Sequence, residues 1–230
     1  MPRLECNANE VDSYDNKLFA EWQEKYRLAV EHMTCCSNNS GVLIEVAAQH
    51  PLRDGMHPNE EFATRLDLAI ELFWHAKKQE DKVSIYVPGS IHMVDGISDC
   101  VSLSQAGCSY LEERGIPRAA LFGDDANAKY KGDIGVYNSS DECYVATCLF
   151  NELEFGKLYS VYSPAQLMRK ALSYIEFGCL PKMYSVPVET MFHNYVDEVF
   201  LYIPRLLDDG NGLQSNSEEA DRLRELRKPE

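Results

Sequence analysis

Short apolar runs of strand length alternate with helix-length amphipathic segments along most of this 230-residue chain. That alternation limits the fold more than any other feature of the sequence. Val42 to Ala48 is an apolar run suited to a buried strand. Val83 to Val87, Ala119 to Phe122, Lys157 to Tyr162 and Met183 to Val186 are the later strands. Between them, apolar residues three and four apart predict helices from Glu60 to Lys78, Asp99 to Arg114, Ser139 or Ser140 to about Leu153, and Ser163 to Phe177. Each helix is long enough to cross over between parallel strands. The expected fold is therefore α/β, a Rossmann-like three-layer α/β/α arrangement around a mostly parallel sheet.

The ends of the chain add to this frame. Leu18, Phe19, Trp22, Tyr26, Ala29, Val30 and Met33 mark one face of an extra N-terminal helix from Tyr14 to Met33. The turn-rich segment from Thr34 to Gly41 separates it from the first strand. Phe192 to Leu207 reads as a last amphipathic segment, and the sequence beyond Asp208 as a polar tail with a small charged helix at Ser217 to Arg227. This gives a helical extension over 1–40, a Rossmann-like domain over 41–207 and a tail over 208–230. There are no internal repeats.

Charge narrows the partners. Asp and Glu number 37 against 22 Lys and Arg, a formal net charge of −15. Such a surface repels phosphate backbones and anionic membranes, so no nucleic-acid partner is expected. No apolar run is long enough for a membrane span. The N-terminal residues carry Glu5, Glu10, Asp12 and Asp15 without an apolar core, so no secretory leader is read and a cytoplasmic location is expected. The eight cysteines include no Cys-x-x-Cys pair and no zinc spacing with His, which favours structural thiols over metal or redox use. Cys108, Cys143 and Cys148 fall in apolar helical stretches, as small core hydrophobes do.

Four features in order resemble the YdcF–SanA–ElyC family, built on domain of unknown function 218. The strand Val83–Val87 runs into Pro88-Gly89-Ser90, where the family has a strand ending in a Gly turn. Leu111-Glu112-Glu113-Arg114-Gly115-Ile116-Pro117 is similar to the family's helix-to-strand segment. Tyr137 to Glu142 looks like its Asn-Thr-x-Glu-Asn helix start, with Ser139 in the Thr place and Asp141 in the Glu place. Tyr159 to Arg169 resembles its strand-to-helix junction, with Arg169 on the family's Arg and Gln166 where it has His. The family's Gly-rich turn after its first strand is absent here. The resemblance covers Val42 to about Pro187. It implies a pocket for a nucleotide-type ligand, S-adenosylmethionine in some members, and an Arg169 that points to that pocket to clamp a phosphate or carboxylate.

The residues also speak for themselves. In a parallel sheet the strand C-terminal ends share one edge, where ligands bind. Gly89 and Ser90 end a strand there, in a turn that either lets backbone N–H groups approach an anion or is simply tight. His92 follows as a ligand donor or acid/base, or as a surface-loop side chain. Ser139 and Ser163 stand at helix starts, with anion binding or plain capping as the two readings. Asp141 and Glu142 are adjacent on a helix, so only one of them can face a pocket. Gln166 can hydrogen-bond a ligand but cannot shuttle a proton. Asp124 and Asp125 follow a strand, as ribose- or metal-binding acids do, or are solvated. His50, Asp54 and His57 share the loop after the first strand and match no metal template. The expected ligand set is Gly89, Ser90, His92, Ser139, Asp141, Ser163, Gln166 and Arg169. The function expected is small-molecule binding, with transfer chemistry as its enzymatic version. A non-enzymatic module that meets a protein partner is the alternative. No Gly-x-Ser-x-Gly elbow supports a hydrolase.

Overall fold

The structure is a computed structural model that describes residues 39–49, 51–94 and 97–186, together with 20, 21, 23–29 and 31. In chain order the elements are β1 (Val42–Val46), α1 (Glu60–Lys77), β2 (Val83–Tyr86), a small hairpin of β3 (Met93–Val94) and β4 (Ile97–Ser98), α2 (Leu103–Glu113), β5 (Leu121–Phe122), α3 (Asp124–Lys131), α4 (Ser139–Glu152), β6 (Lys157–Tyr162), α5 (Leu167–Glu176) and β7 (Lys182–Ser185). Five strands form one parallel sheet in the order β5-β2-β1-β6-β7. The expected α/β three-layer fold is present. Among the described residues, no helix is long and apolar enough to cross a membrane.

Strand alternation sorts the two faces. Val42, Ile44 and Val46 of β1, with Val83, Ile85 and Val87, pack against Phe62, Leu66 and Phe73 of α1 and Leu103 and Leu111 of α2. Leu43 and Tyr86 turn the other way, onto Ala126 of α3, Cys143, Ala146 and Phe150 of α4, and Tyr174 of α5. Helices α1 and α2 therefore cover one face, and α3, α4 and α5 the other. The expected N-terminal helix is helical at 20, 21, 23–29 and 31, and its Ala29 packs with Ala171 and Leu180.

Local chemistry sets the ends of the helices. The Asn59 side chain accepts from Phe62 N at 2.9 Å to start α1, and Glu60 and Glu61 suit the positive end of its dipole. Helix α2 begins at Leu103 rather than at Asp99, because Ser102 caps it by accepting from Gln105 N at 2.8 Å. Gly115, with φ +88°, and Pro117 stop it as the sequence suggests. Asn138, not Ser139 or Ser140, caps α4, its side-chain Oδ1 accepting from Asp141 N at 3.0 Å. Between β5 and α4, where the sequence shows no helical periodicity, lies α3, a polar helix without an apolar stripe. Beyond Ser163 the chain makes a 3-10 turn, Pro164–Gln166, before α5. His50, the amphipathic segment expected at Phe192 to Leu207 and the polar tail lie outside the described residues.

Cysteine usage is mixed. Cys100, Cys108, Cys143 and Cys148 are free, as the thiol reading expects. Cys179 departs from it and is disulfide-bonded. Such a pairing depends on proximity across the fold, which cysteine spacing does not report.

Two glycines bring α2 onto the sheet. Gly89 has φ +106°, and a Cβ there would lie 2.8 Å from Cβ of Leu103. At Gly107 a Cβ would lie 2.6 Å from Cγ1 of Val87 and 3.1 Å from Cζ of Phe62, both buried. Gly107→Val should therefore lower the unfolding free energy by about 1–3 kcal/mol through overpacking. Gly107→Ala should cost less, since its gain in helix propensity offsets part of the strain. Urea denaturation of the two variants checks both the sign and the order.

Candidate functional site

The strand order places the point where the sheet changes direction between β1 and β6. From β1 the chain goes to α1 on one face, and from β6 it goes to α5 on the other, the arrangement in which open α/β sheets place a ligand crevice above the strand ends. The strands stay paired to its floor, where Ala47 N donates to Val161 O at 2.8 Å. Polar side chains that are almost wholly buried gather here.

Arg65, on the buried side of α1, is completely enclosed. Its Nε donates to Ser163 Oγ at 2.9 Å, one terminal nitrogen to Ala47 O and Ala48 O at 2.7 and 3.1 Å, and the other to Gln49 Oε1 and Glu61 Oε1 at 3.1 and 2.5 Å. A guanidinium has five N–H donors, and these five contacts use them all. Ser163 Oγ also donates to Glu61. Burial pulls the Arg65 guanidinium below its ordinary value, and the Glu61 carboxylate opposes that. Arg65 thus ties α1 to the β1 exit and to the residue that follows β6.

A second knot lies on the opposite face. Glu45, on the central strand, is wholly buried, and register sets it between Tyr86 of β2 and Ser160 of β6. Its Oε1 accepts from Lys170 Nζ at 2.7 Å, and its Oε2 from Ser160 Oγ at 2.6 Å and Tyr174 Oη at 3.2 Å. Lys170, equally buried, also donates to Glu142 Oε2 at 2.6 Å. One ammonium therefore joins β1, α4 and α5. Burial pushes the Glu45 carboxyl above its ordinary range; Lys170 pulls it back and the Glu142 charge raises it again. Burial alone would lower the Lys170 ammonium, but Glu142 and Glu45 outweigh it and hold the group above its usual value.

The expected site residues fall into two groups at this edge. In the first, Ser90 exchanges backbone and side-chain bonds with Val136: its N–H donates to Val136 O and its Oγ accepts from Val136 N, both at 2.9 Å. His92 is buried rather than a surface-loop side chain, with Nδ1 2.9 Å from Ser90 O and its ring 5.3 Å from that of Tyr137. Gly89, Ser90 and His92 thereby meet the approach to α4, where Ser139 is buried. Asp141 is also buried; it pairs with Lys131 at 2.6 Å and accepts from Tyr137 N at 3.3 Å, so it ties the α4 start to α3. The second group is Ser163, Gln166 and Arg169. Gln166 Oε1 accepts from Ser163 N at 3.4 Å, and Gln166 and Arg169 are half-buried at the start of α5.

Other candidates are placed elsewhere. Asp124 is exposed at the first residue of α3 and accepts from Ser102 Oγ at 2.8 Å. Asp141 and Glu142 face different partners, as adjacent helical residues must. Among the described residues, no three His, Cys, Asp or Glu side chains converge as metal ligands. Burial pushes the Cys108 thiol up to about 11 and the Cys143 thiol further, which leaves neither as a thiolate nucleophile at neutral pH.

Sequence reasoning missed Glu45, Glu61, Arg65 and Lys170. Arg65 lies three residues after Phe62 and four before Ala69, both fully buried, so periodicity alone places it on the buried stripe. Comparison with family models, with curated proteins and with solved structures finds no match to this chain.

Two outcomes follow. Arg65→Met removes a cation and leaves half-buried Glu61, buried Ser163 and the carbonyls of Ala47 and Ala48 without their donor. It should cost about 3–5 kcal/mol of unfolding free energy by chemical denaturation. The second concerns pH. The Glu45 carboxyl is raised above its ordinary 4.5, so the folded chain binds that proton more tightly than the unfolded one. The stability this gives is fully present below the unfolded pKa and is lost as pH rises through the folded value. Glu45→Gln should therefore flatten the fall in stability that sets in as pH rises above about 4.5, read from melting temperatures across a pH series.

Proposed function

We propose that this chain is a YdcF-like small-molecule binding protein whose ligand, a nucleotide-type or S-adenosylmethionine-like compound, lies in the crevice above β1 and β6. The observation that carries the reading is the reversal of strand order between β1 and β6, the place where open parallel sheets bind ligands. Gln166 and Arg169 at the start of α5 supply a hydrogen-bonding amide and a cation at the lip. The Ser90 turn and the α4 start supply the far wall.

Binding without turnover is the form of the function that the chemistry favours. Arg65 has spent every donor on the protein itself. Lys170 is held charged between two carboxylates, so it is neither a base nor an amine nucleophile. Gln166 cannot move a proton. Transfer chemistry would draw on His92, since Asp141, the other acid/base candidate of the set, is paired with Lys131.

A thermal-shift series with nucleotides, sugar nucleotides, S-adenosylmethionine and S-adenosylhomocysteine tests the proposal. A ligand present at 100 times its dissociation constant should add about 2.7 kcal/mol, well within reach of a melting curve. Arg169→Ala should abolish that shift while melting, ligand-free, close to the parent chain. A flat response from a well-folded protein to the whole series would contradict the proposal and favour the non-enzymatic interaction module.

A further inference from the structure

A cavity of about 350 Å³ opens on the α1–α2 side of the sheet, away from the crevice, between the β1–α1 loop and the length of α2. One wall is the turn Arg53–His57, which is stiffly built. Arg53 N donates to His57 O at 2.8 Å, and His57 N to Arg53 O at 3.1 Å. Asp54, at φ +54°, accepts from Met56 N and His57 N, and its Oδ1 lies 2.9 Å from His57 Nδ1. Cys100 N donates to Gly55 O at 2.7 Å and pins the turn to the approach of α2. The loop that the sequence singles out for Asp54 and His57 is thus one side of a preformed recess.

Two guanidiniums line the recess, Arg53 and Arg114, against one lining acid, Glu113, while His57 is engaged by Asp54. Among the described residues, Arg53 makes no ion pair. Arg114 lies on the Tyr110 ring, 3.3 Å from its centroid, and Asp67 holds its Nε at 3.6 Å. A guanidinium held over an aromatic ring can offer its far side to a further planar group. Met56, exposed at the surface, and buried Pro58 add an apolar, polarizable flank.

We infer that this cavity is a second ligand site, for a small aryl phosphate or aryl carboxylate. The Arg53 fork takes the anionic head, and the planar body rests against Arg114 and Met56. The site is independent of the nucleotide crevice, since none of its residues belongs to the Arg65 or Lys170 knots.

Phenyl phosphate titrated into the ¹⁵N-labelled full chain tests it. Saturable shifts are expected at the backbone amides of residues 53–57 and 105–114, with none at Ala48 or Ser163. Arg53→Gln, at an exposed position, should leave the melting temperature in place and weaken binding about tenfold, the loss of one charge-assisted hydrogen-bonded contact. Benzyl alcohol, which lacks the anion, should not saturate. The inference is overturned if phenyl phosphate produces no saturable shift, if Arg53→Gln binds it as well as the parent does, or if benzyl alcohol saturates equally. Shifts centred on the crevice residues instead would overturn it too, while supporting the nucleotide reading of the other site.

Discussion

A carboxylate buried on the central strand of a sheet has to be answered by a cation, and in this protein one answer organises half of the fold. Glu45 has no access to water, and neither has Lys170, which meets it at 2.7 Å. Separately, either charge would cost several kcal/mol in that interior. Together, and with Glu142 on the far side of the ammonium, they fix how α4 and α5 lie on β1. Ser160 and Tyr174 add to the hydrogen bonding of Glu45, so both of its oxygens are satisfied. A purely apolar core would hold the layers as well. It would not fix their register so narrowly, and specificity is the best-attested return on buried polar groups.

Arg65 does the same work on the other face. Its five bonds join α1, the three residues that leave β1, and Ser163 at the exit of β6. The two knots therefore flank the crevice, one under each of the helices that diverge from it. The consequence for function is a division of labour. The most deeply buried charges hold the rim in shape, while Gln166 and Arg169 beside them stay half-buried, and it is on these that the proposed binding role falls.

The sheet was legible in the sequence because parallel strands announce themselves as continuous apolar runs, and the run from Val42 needed no other context. Its one charged member, Glu45, carried the further message. A glutamate inside such a run is too costly to bury alone, so a partner was implied, though not its identity. Lys170 lies one residue before buried Ala171 and four before buried Tyr174, on the covered side of its helix, and reads as core once that stripe is drawn. The partnership between them spans 125 residues, and no local pattern encodes a contact of that range. Helix α3 was hidden for the opposite reason: DDANAKYK has no apolar stripe, and its helix is held by ties to neighbours, such as Asn127 accepting from the Tyr86 hydroxyl at 2.7 Å. At the start of α4 three residues in succession, Asn138, Ser139 and Ser140, can all cap a helix. Only the fold shows that the first one does.

Glu45 and Lys170 act as a unit, and a double-mutant cycle on unfolding free energy measures that directly. Lys170→Met in the parent chain strands two carboxylates in the core. In a Glu45→Gln background it strands one. The account predicts that the second loss is smaller by about 1–3 kcal/mol, a coupling of the size found for contacting buried groups. Losses that add to within about 0.5 kcal/mol would mean that the two groups do not depend on each other, and the buried pair would not be what sets the sheet against its helices.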